Sequence, residues 1–199
     1  AGQKMHFELH EIGEFIDRMG QTSLVDVDND NDLDWVFGRF GDMYWYEYKS
    51  ADEWDLHEIG KGARTDVGGW PADINQDGMI DFVVGDSWYE NTDNPRSEKF
   101  ILHRKNMISC HDNIILDIDG DGDLDVSSGG GPLSQDIHKL FIWENISGDA
   151  ARWKEHIILE GRRIHEAVAA DVEGDGDIDI CTKPWHGGLH IYLENKLIE

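Results

Sequence analysis

The stretch Asp117-Ile-Asp-Gly-Asp-Gly-Asp-Leu-Asp125, followed by Val-Ser-Ser-Gly129, decides the reading of this 199-residue chain. Side-chain oxygens stand at loop positions 1, 3, 5 and 9, and position 7 can add a backbone carbonyl. Hard oxygen donors at that density suit calcium, which takes six to eight oxygens in a flexible shell. Zinc calls for His and Cys at set spacings, and magnesium keeps more of its water. The pattern occurs four times. The candidate ligand positions are Asp26, Asp28, Asp30, Asp32 and Asp34; Asp73, Asn75, Asp77, Met79 and Asp81; Asp117, Asp119, Asp121, Asp123 and Asp125; and Asp171, Glu173, Asp175, Asp177 and Asp179. Met79 has no oxygen in its side chain, so its position must act through the carbonyl. The first loop carries Asn31 where the others carry Gly, at a position expected to need positive φ, which Asn tolerates. The fourth carries the longer Glu173.

The repeat is larger than the loop. Its first Asp recurs after 47, 44 and 54 residues. A His marker recurs in phase (His10, His57, His103, His156), as does an aromatic segment ending in Glu or Glu-Asn (Tyr44–Glu47, Trp88–Asn91, Phe141–Asn145, His190–Asn195). Periods of this size signal propellers or solenoids. Each unit reads as four short strands. One enters the loop (22–25, 113–116, 167–170) and one leaves it (34–38, 81–85, 125–129, 179–182). The third is the aromatic segment and the fourth carries the His. Strands this short, rich in β-branched and aromatic residues and punctuated by Gly, Asn and Asp, fit an all-β array. Four-stranded units repeated radially are propeller blades.

The loop Asp-x-Asp-x-Asp-Gly-x-x-Asp followed by Leu-Asp-Val or Ile-Asp-Phe-Val-Val-Gly resembles the FG-GAP or VCBS repeat, the calcium-binding propeller blade of integrin α-subunits and many secreted bacterial proteins. The resemblance extends over almost the whole chain. It implies a single all-β propeller domain over 1–199, with repeats near 7–48, 54–91, 100–145 and 153–195. It also implies up to four Ca2+ ions, one in each loop joining the first two strands.

The formal net charge is −25, and the eight positive charges of four calcium ions would leave −17. Such a surface argues against nucleic acid or anionic membrane as partners, and no hydrophobic run reaches membrane-spanning length. Loops of this kind often need millimolar calcium, which points to an extracellular, cell-surface or periplasmic location. Cys110 and Cys181 are too few for a disulfide framework, and their pairing stays open. Asn145-Ile-Ser147 forms a glycosylation sequon.

The chain begins on a fourth-strand segment, Phe7 to Ile12, and ends on a third-strand segment. The expectation is that the first completes the last blade and closes a four-bladed ring, which would make the chain a monomer. The alternative is half of a seven- or eight-bladed propeller, formed as a homodimer.

Six residues before the loop Asp, two units carry His-acid pairs, His111-Asp112 and His165-Glu166. In a propeller these lie where the innermost strands begin, at one mouth of the channel. They can act as hydrogen-bonders to a sugar or as general acid and base; the competing reading is inner-strand polar groups satisfied by neighbours. Trp185 and His186, in a Gly/Pro-rich connection, and Trp70, before Pro71, are candidate ligand platforms. Trp45, Trp88 and Trp143 belong to the core. The histidines at 10, 57, 103 and 156 recur in every unit and read as packing. The expected function is a non-enzymatic, calcium-stabilised module that binds a carbohydrate or protein, with no catalytic residue. The alternative is a polysaccharide lyase or hydrolase using His111, His165, Asp112 and Glu166; some polysaccharide lyases look similar. No nucleophile elbow, phosphate loop or metalloprotease helix is present.

Overall fold

The computed structural model describes residues 5–15, 20, 22–65, 67–104, 110–129, 138–184 and 186–196. Among them are fifteen strands and no helix. Sheet 1 holds β1 (Thr22–Val25), β2 (Asp34–Arg39), β3 (Asp42–Ser50) and β4 (Glu53–Gly60). Sheet 2 holds β5 (Trp70–Ala72), β6 (Asp81–Val84), β7 (Ser87–Glu90) and β8 (Ile101–Arg104). Sheet 3 holds β9 (Asn113–Leu116), β10 (Asp125–Gly129), β11 (Lys139–Asn145) and β12 (Trp153–Glu160). Sheet 4 has three strands, β13 (Ile164–Ala170), β14 (Asp179–Pro184) and β15 (Ile191–Leu193). Every pairing is antiparallel between neighbours in sequence. The strands that enter the loops line up side by side, β1 beside β5, β5 beside β9 and β9 beside β13.

The period of two assigns each residue to one inter-sheet junction. The first residue after the loop's last Asp faces the preceding sheet, as Phe82, Val126 and Ile180 do, and the next faces the following sheet, as Val36 and Val83 do. Both faces of an inner sheet are therefore covered, and β6 reads as a continuous apolar run, Phe82-Val83-Val84, with no exposure. Loop position 2 plugs the junction. Val27 packs with Trp45 and Phe82, and Ile74 with Trp88, Val126 and Trp143; Ile118 packs with Ile142 and Ile180. Trp45, Trp88 and Trp143 are buried as expected.

A side-chain amide ties each junction. Asn91 Nδ2 donates to the Val27 carbonyl (2.9 Å), Asn145 Nδ2 to Ile74 (3.3 Å) and Asn195 Nδ2 to Ile118 (3.1 Å). The Asn of one sheet thus satisfies position 2 of the previous loop. Sheet 1 has Tyr48 at this place. Asn145 is 1 % exposed, so the sequon there is committed to packing and does not present a glycan.

Ring closure by Phe7 to Ile12 is not what the structure shows. These residues form no strand, Phe7 and Leu9 lie in solvent, and β15 pairs with β14 alone among the described residues. The segment instead lies along sheet 1. Ile12 packs on the outward aromatic face of Phe37, Tyr44 and Tyr46, and Phe15 meets Tyr44 edge-on at 4.7 Å. His10 bonds Asp52 (2.7 Å) in place of a glutamate on a third strand. Of the apolar side chains from Phe7 to Ile12, Ile12 alone finds this aromatic ladder, which is nearer in sequence than sheet 4.

Candidate functional site

The acidic loops join the first two strands of each sheet, and their register is the same: Val25 opposes Asp34, Ala72 Asp81, Leu116 Asp125 and Ala170 Asp179. Two left-handed residues shape each loop, at positions 4 and 6. They are Asn29 (φ 59°) and Asn31 (74°), Gln76 (60°) and Gly78 (88°), Gly120 (76°) and Gly122 (94°), and Gly174 (80°) and Gly176 (101°). A Cβ added at Gly78, Gly120, Gly122, Gly174 or Gly176 would meet nothing within 4 Å. The backbone conformation, not space, selects Gly or Asn there.

The first Asp of each loop gathers backbone donors. Asp26 accepts from the amides of Asp30 and Asn31, Asp73 from Asp77 and Gly78, Asp117 from Gly120 and Gly122, and Asp171 from Gly174 and Gly176. The ninth residue is buried and accepts two further amides. For Asp81 these are Ile74 and Asn91; for Asp125, Ile118 and Asn145. Burial nevertheless pushes Asp34 and Asp125 up to about 6 and Asp81 up to about 7, against the lowering effect of those amides. A cation beside them would hold the charged form.

Oxygens of Asp26, Asp28 and Asp34 come within 4.8 Å of one another, as do those of Asp117, Asp119 and Asp125. Asp28 Oδ1 is buried without a hydrogen-bond partner, the kind of orphan that a metal satisfies. The donors are all oxygen. On donor chemistry and convergence, loops 1 and 3 fit calcium. In loop 4 the Tyr192 hydroxyl donates to Glu173, so that carboxylate turns toward β15.

Sequence reasoning missed Arg96, which reaches loop 1 from the connection after β7. Its guanidinium lies 2.6 Å from Asp28, 2.7 Å from Asp30 and 2.5 Å from Glu47. Glu47 sits well below the usual range, at about 2. Burial alone would raise it, but bonds from Lys49, Arg96 and His57 outweigh that. No local pattern marks an Arg whose partners lie 49 to 68 positions away. Three of the in-phase histidines pair with a third-strand glutamate. His57 bonds Glu47, His103 bonds Glu90 and His156 bonds Glu144, and His57 and His103 stack on Trp45 and Trp88.

The His-acid pairs lie at the other end of the innermost strands. Six residues of extended chain separate His111 from Asp117, roughly 20 Å. There the His111 and His165 rings stack at 4.2 Å and 24°. His165 is 9 % exposed, and its Nδ1 lies 3.5 Å from Glu166. Trp70 is 40 % exposed, and its indole N–H donates to Asp112 (3.1 Å). Burial pushes the Asp112 carboxyl up, partly offset by that bond. Trp70, His111, Asp112 and Glu166 line a groove of about 430 Å³ with Gly20, Val67, Ala167 and Val168. Sheets 2 and 4 contribute strand residues, and the segments leading into sheets 1 and 3 supply Gly20, His111 and Asp112. The register of Glu166 with Lys183 and Ile164 with Pro184 sets the 183–188 connection at this same end. His186 is exposed there and is not part of the groove wall. Trp185 lies outside the described residues. Neither Cys110 nor Cys181 is in a disulfide, and the Cys110 sulfur accepts from the Asn113 side-chain amide (3.2 Å).

Residues 116–182 match the family model of the FG-GAP-like repeat. The match runs from the end of β9 through loops 3 and 4 into β14, so two of the four loops fall within it. Comparison with curated proteins found no match. No helix among the described residues is long and apolar enough to cross a membrane.

Proposed function

We propose that the chain is a calcium-stabilised, non-enzymatic binding module, with Ca2+ in the acidic loops at one end of the sheets and a carbohydrate or protein ligand held at the other. The observation that carries this reading is the groove around Trp70. A half-exposed indole, fixed through its N–H by Asp112, offers a flat apolar face beside His111 and Glu166. An aromatic face ringed by hydrogen-bonding groups suits a sugar, whose ring has an apolar face and a polar rim. A calcium-dependent module belongs where calcium is millimolar: outside the cell, on its surface or in the periplasm.

In the loops, positions 1, 3, 5 and 9 would hold the ion by side chain and position 7 by carbonyl. The metal's contribution is to neutralise carboxylates crowded around each sheet junction. The β15 edge, with Val168, Val172 and Tyr192 exposed beside it, favours the half-ring over the closed four-bladed ring. The covering sheet would then come from a homodimer partner, and a solution mass near twice 22.7 kDa is the expected sign.

A glycan array run in calcium tests the ligand. Trp70→Ala should abolish binding while keeping the calcium-dependent melt near that of the parent protein. Binding unaffected by Trp70→Ala would overturn the groove as the site. The stacked His pair beside Glu166 supports a second reading, a polysaccharide-degrading enzyme with His111, His165, Asp112 and Glu166 as acid and base. Product release from a polysaccharide panel, lost in His111→Ala with binding retained, would replace the first reading with the second.

A further inference from the structure

The geometry points to a transition-metal site of the zinc type at His111, His165 and Glu166, distinct from the calcium loops. One ligand atom from each of the three residues comes within 4.8 Å of the others. The two imidazoles come from neighbouring sheets, each at the start of an innermost strand, and stack at 4.2 Å. Glu166 follows His165 directly, and its side chain is 58 % exposed, free to swing toward the rings.

Three arguments carry the assignment. First, the pair is not a packing requirement of the repeat. The same position is Gly20 in sheet 1 and Val67 in sheet 2, whereas His57, His103 and His156 all find a third-strand Glu. Second, the donors differ in kind from those of the loops. Two imidazole nitrogens with one carboxylate select zinc-like ions over calcium, which takes oxygen. Third, the dimensions fit. Zinc bonds of about 2.0–2.1 Å in a tetrahedral shell set ligand atoms roughly 3.4 Å apart. Reaching that spacing takes a side-chain rotation of Glu166 and a rotation of the half-buried His111 ring out of the stack, so that its in-plane lone pair and that of the buried His165 meet at one ion. Two His and one Glu leave a fourth position, and here it opens on the groove lined by Trp70 and Val168, where a water or a ligand oxygen can enter. The loops lie some six residues of strand away, so the two kinds of site fill independently.

This inference does not depend on the glycan reading, because its test contains no glycan. Untagged protein is freed of metals, saturated with calcium to fill the loops, and titrated with Co2+ while the visible absorption is followed; Zn2+ then competes. The expected result is one Co2+ per chain with a visible band, displaced by one Zn2+. His111→Ala and Glu166→Gln should each weaken binding at least tenfold, and His186→Ala should leave it unchanged. His165 is almost fully buried, so its truncation tests folding as well as binding. The two other variants carry the test, each first shown to keep the parent's melt in calcium. No band up to about millimolar Co2+, or equal affinity in the parent and both variants, would overturn the site.

Discussion

The junction between sheets 2 and 3 and the outer face of sheet 4 are written with the same repeat positions and end in opposite states. At the junction, Ile74 and Val83 have no exposure and Trp88 has 3 %. At the outer face the equivalent residues are Val172, 57 % exposed, Cys181, half-buried, and Tyr192, 46 % exposed. The side chains are apolar in both places. What differs is the neighbour, which at sheet 2 supplies Val126, Phe141, Trp143 and the amide of Asn145. A strand residue's burial is decided by the next sheet as much as by its own.

The largest expected effect comes from removing calcium, which tests whether the loops support the junctions. An ion that binds only the folded state adds RT ln(1 + [L]/Kd), about 2.7 kcal/mol per site at a hundredfold excess over Kd. Chelation should lower the melting temperature by many degrees in calorimetry, and restored calcium should recover it. An unchanged melt in protein shown to be metal-free would remove the loops from the stability of the fold.

Next in size is the direct contrast. Ile74→Ala empties a filled junction and should cost about 2–5 kcal/mol in denaturant unfolding. Val172→Ala alters the same loop position at the outer face of sheet 4 and should stay within about 0.5 kcal/mol in a monomer, where that face is bare, but cost distinctly more in the homodimer proposed above. Similar costs for the two would mean that the outer face of sheet 4 is covered in solution, and light scattering on the same samples would then show a mass above 22.7 kDa.

The asparagine ties give a smaller effect. Asn145→Ala leaves the buried Ile74 carbonyl without its donor and removes a bond to the amide of Ala150, for a loss of about 1–3 kcal/mol. Asn195→Ala should lose less, because Asn195 is partly exposed and water can replace it at Ile118.

A pH effect belongs to the metal-free protein alone. Asp81 is raised to about 7 and Asp34 and Asp125 to about 6, above the unfolded value near 3.9. Groups raised in the folded state stabilise it fully below their unfolded range and lose that contribution as pH climbs through the folded value. The metal-free melt should therefore rise as pH falls from about 7.5 to 5.5. In calcium the ions hold the charged forms, and the trend should flatten. A metal-free melt that falls with pH over this window would contradict the burial of these carboxyls.

Much of this was legible in the chain because it is local. The oxygen spacing of Asp117 to Asp125, the turn chemistry at Asn31 and its glycine counterparts, and the strands 22–25, 113–116 and 125–129 follow from neighbours within nine residues and from a period of two. Repetition added the four units and marked His57, His103 and His156 as packing. The partners of Arg96, the amide ties from Asn91, Asn145 and Asn195, and the stacking of His111 on His165 join residues some fifty or more positions apart, and no local pattern encodes them. The N-terminal segment shows the boundary most clearly. Its phase allows Phe7 to Ile12 to pair with β15, but Ile12 packs instead against Phe37 and Tyr44 while Phe7 and Leu9 stay in solvent. The sequence by itself determined the loops, the strands and the number of units, because those depend on spacing. Only the tertiary structure decided which edge stays open and which side chains meet at the groove, because those depend on the free energy of surfaces brought together from distant parts of the chain.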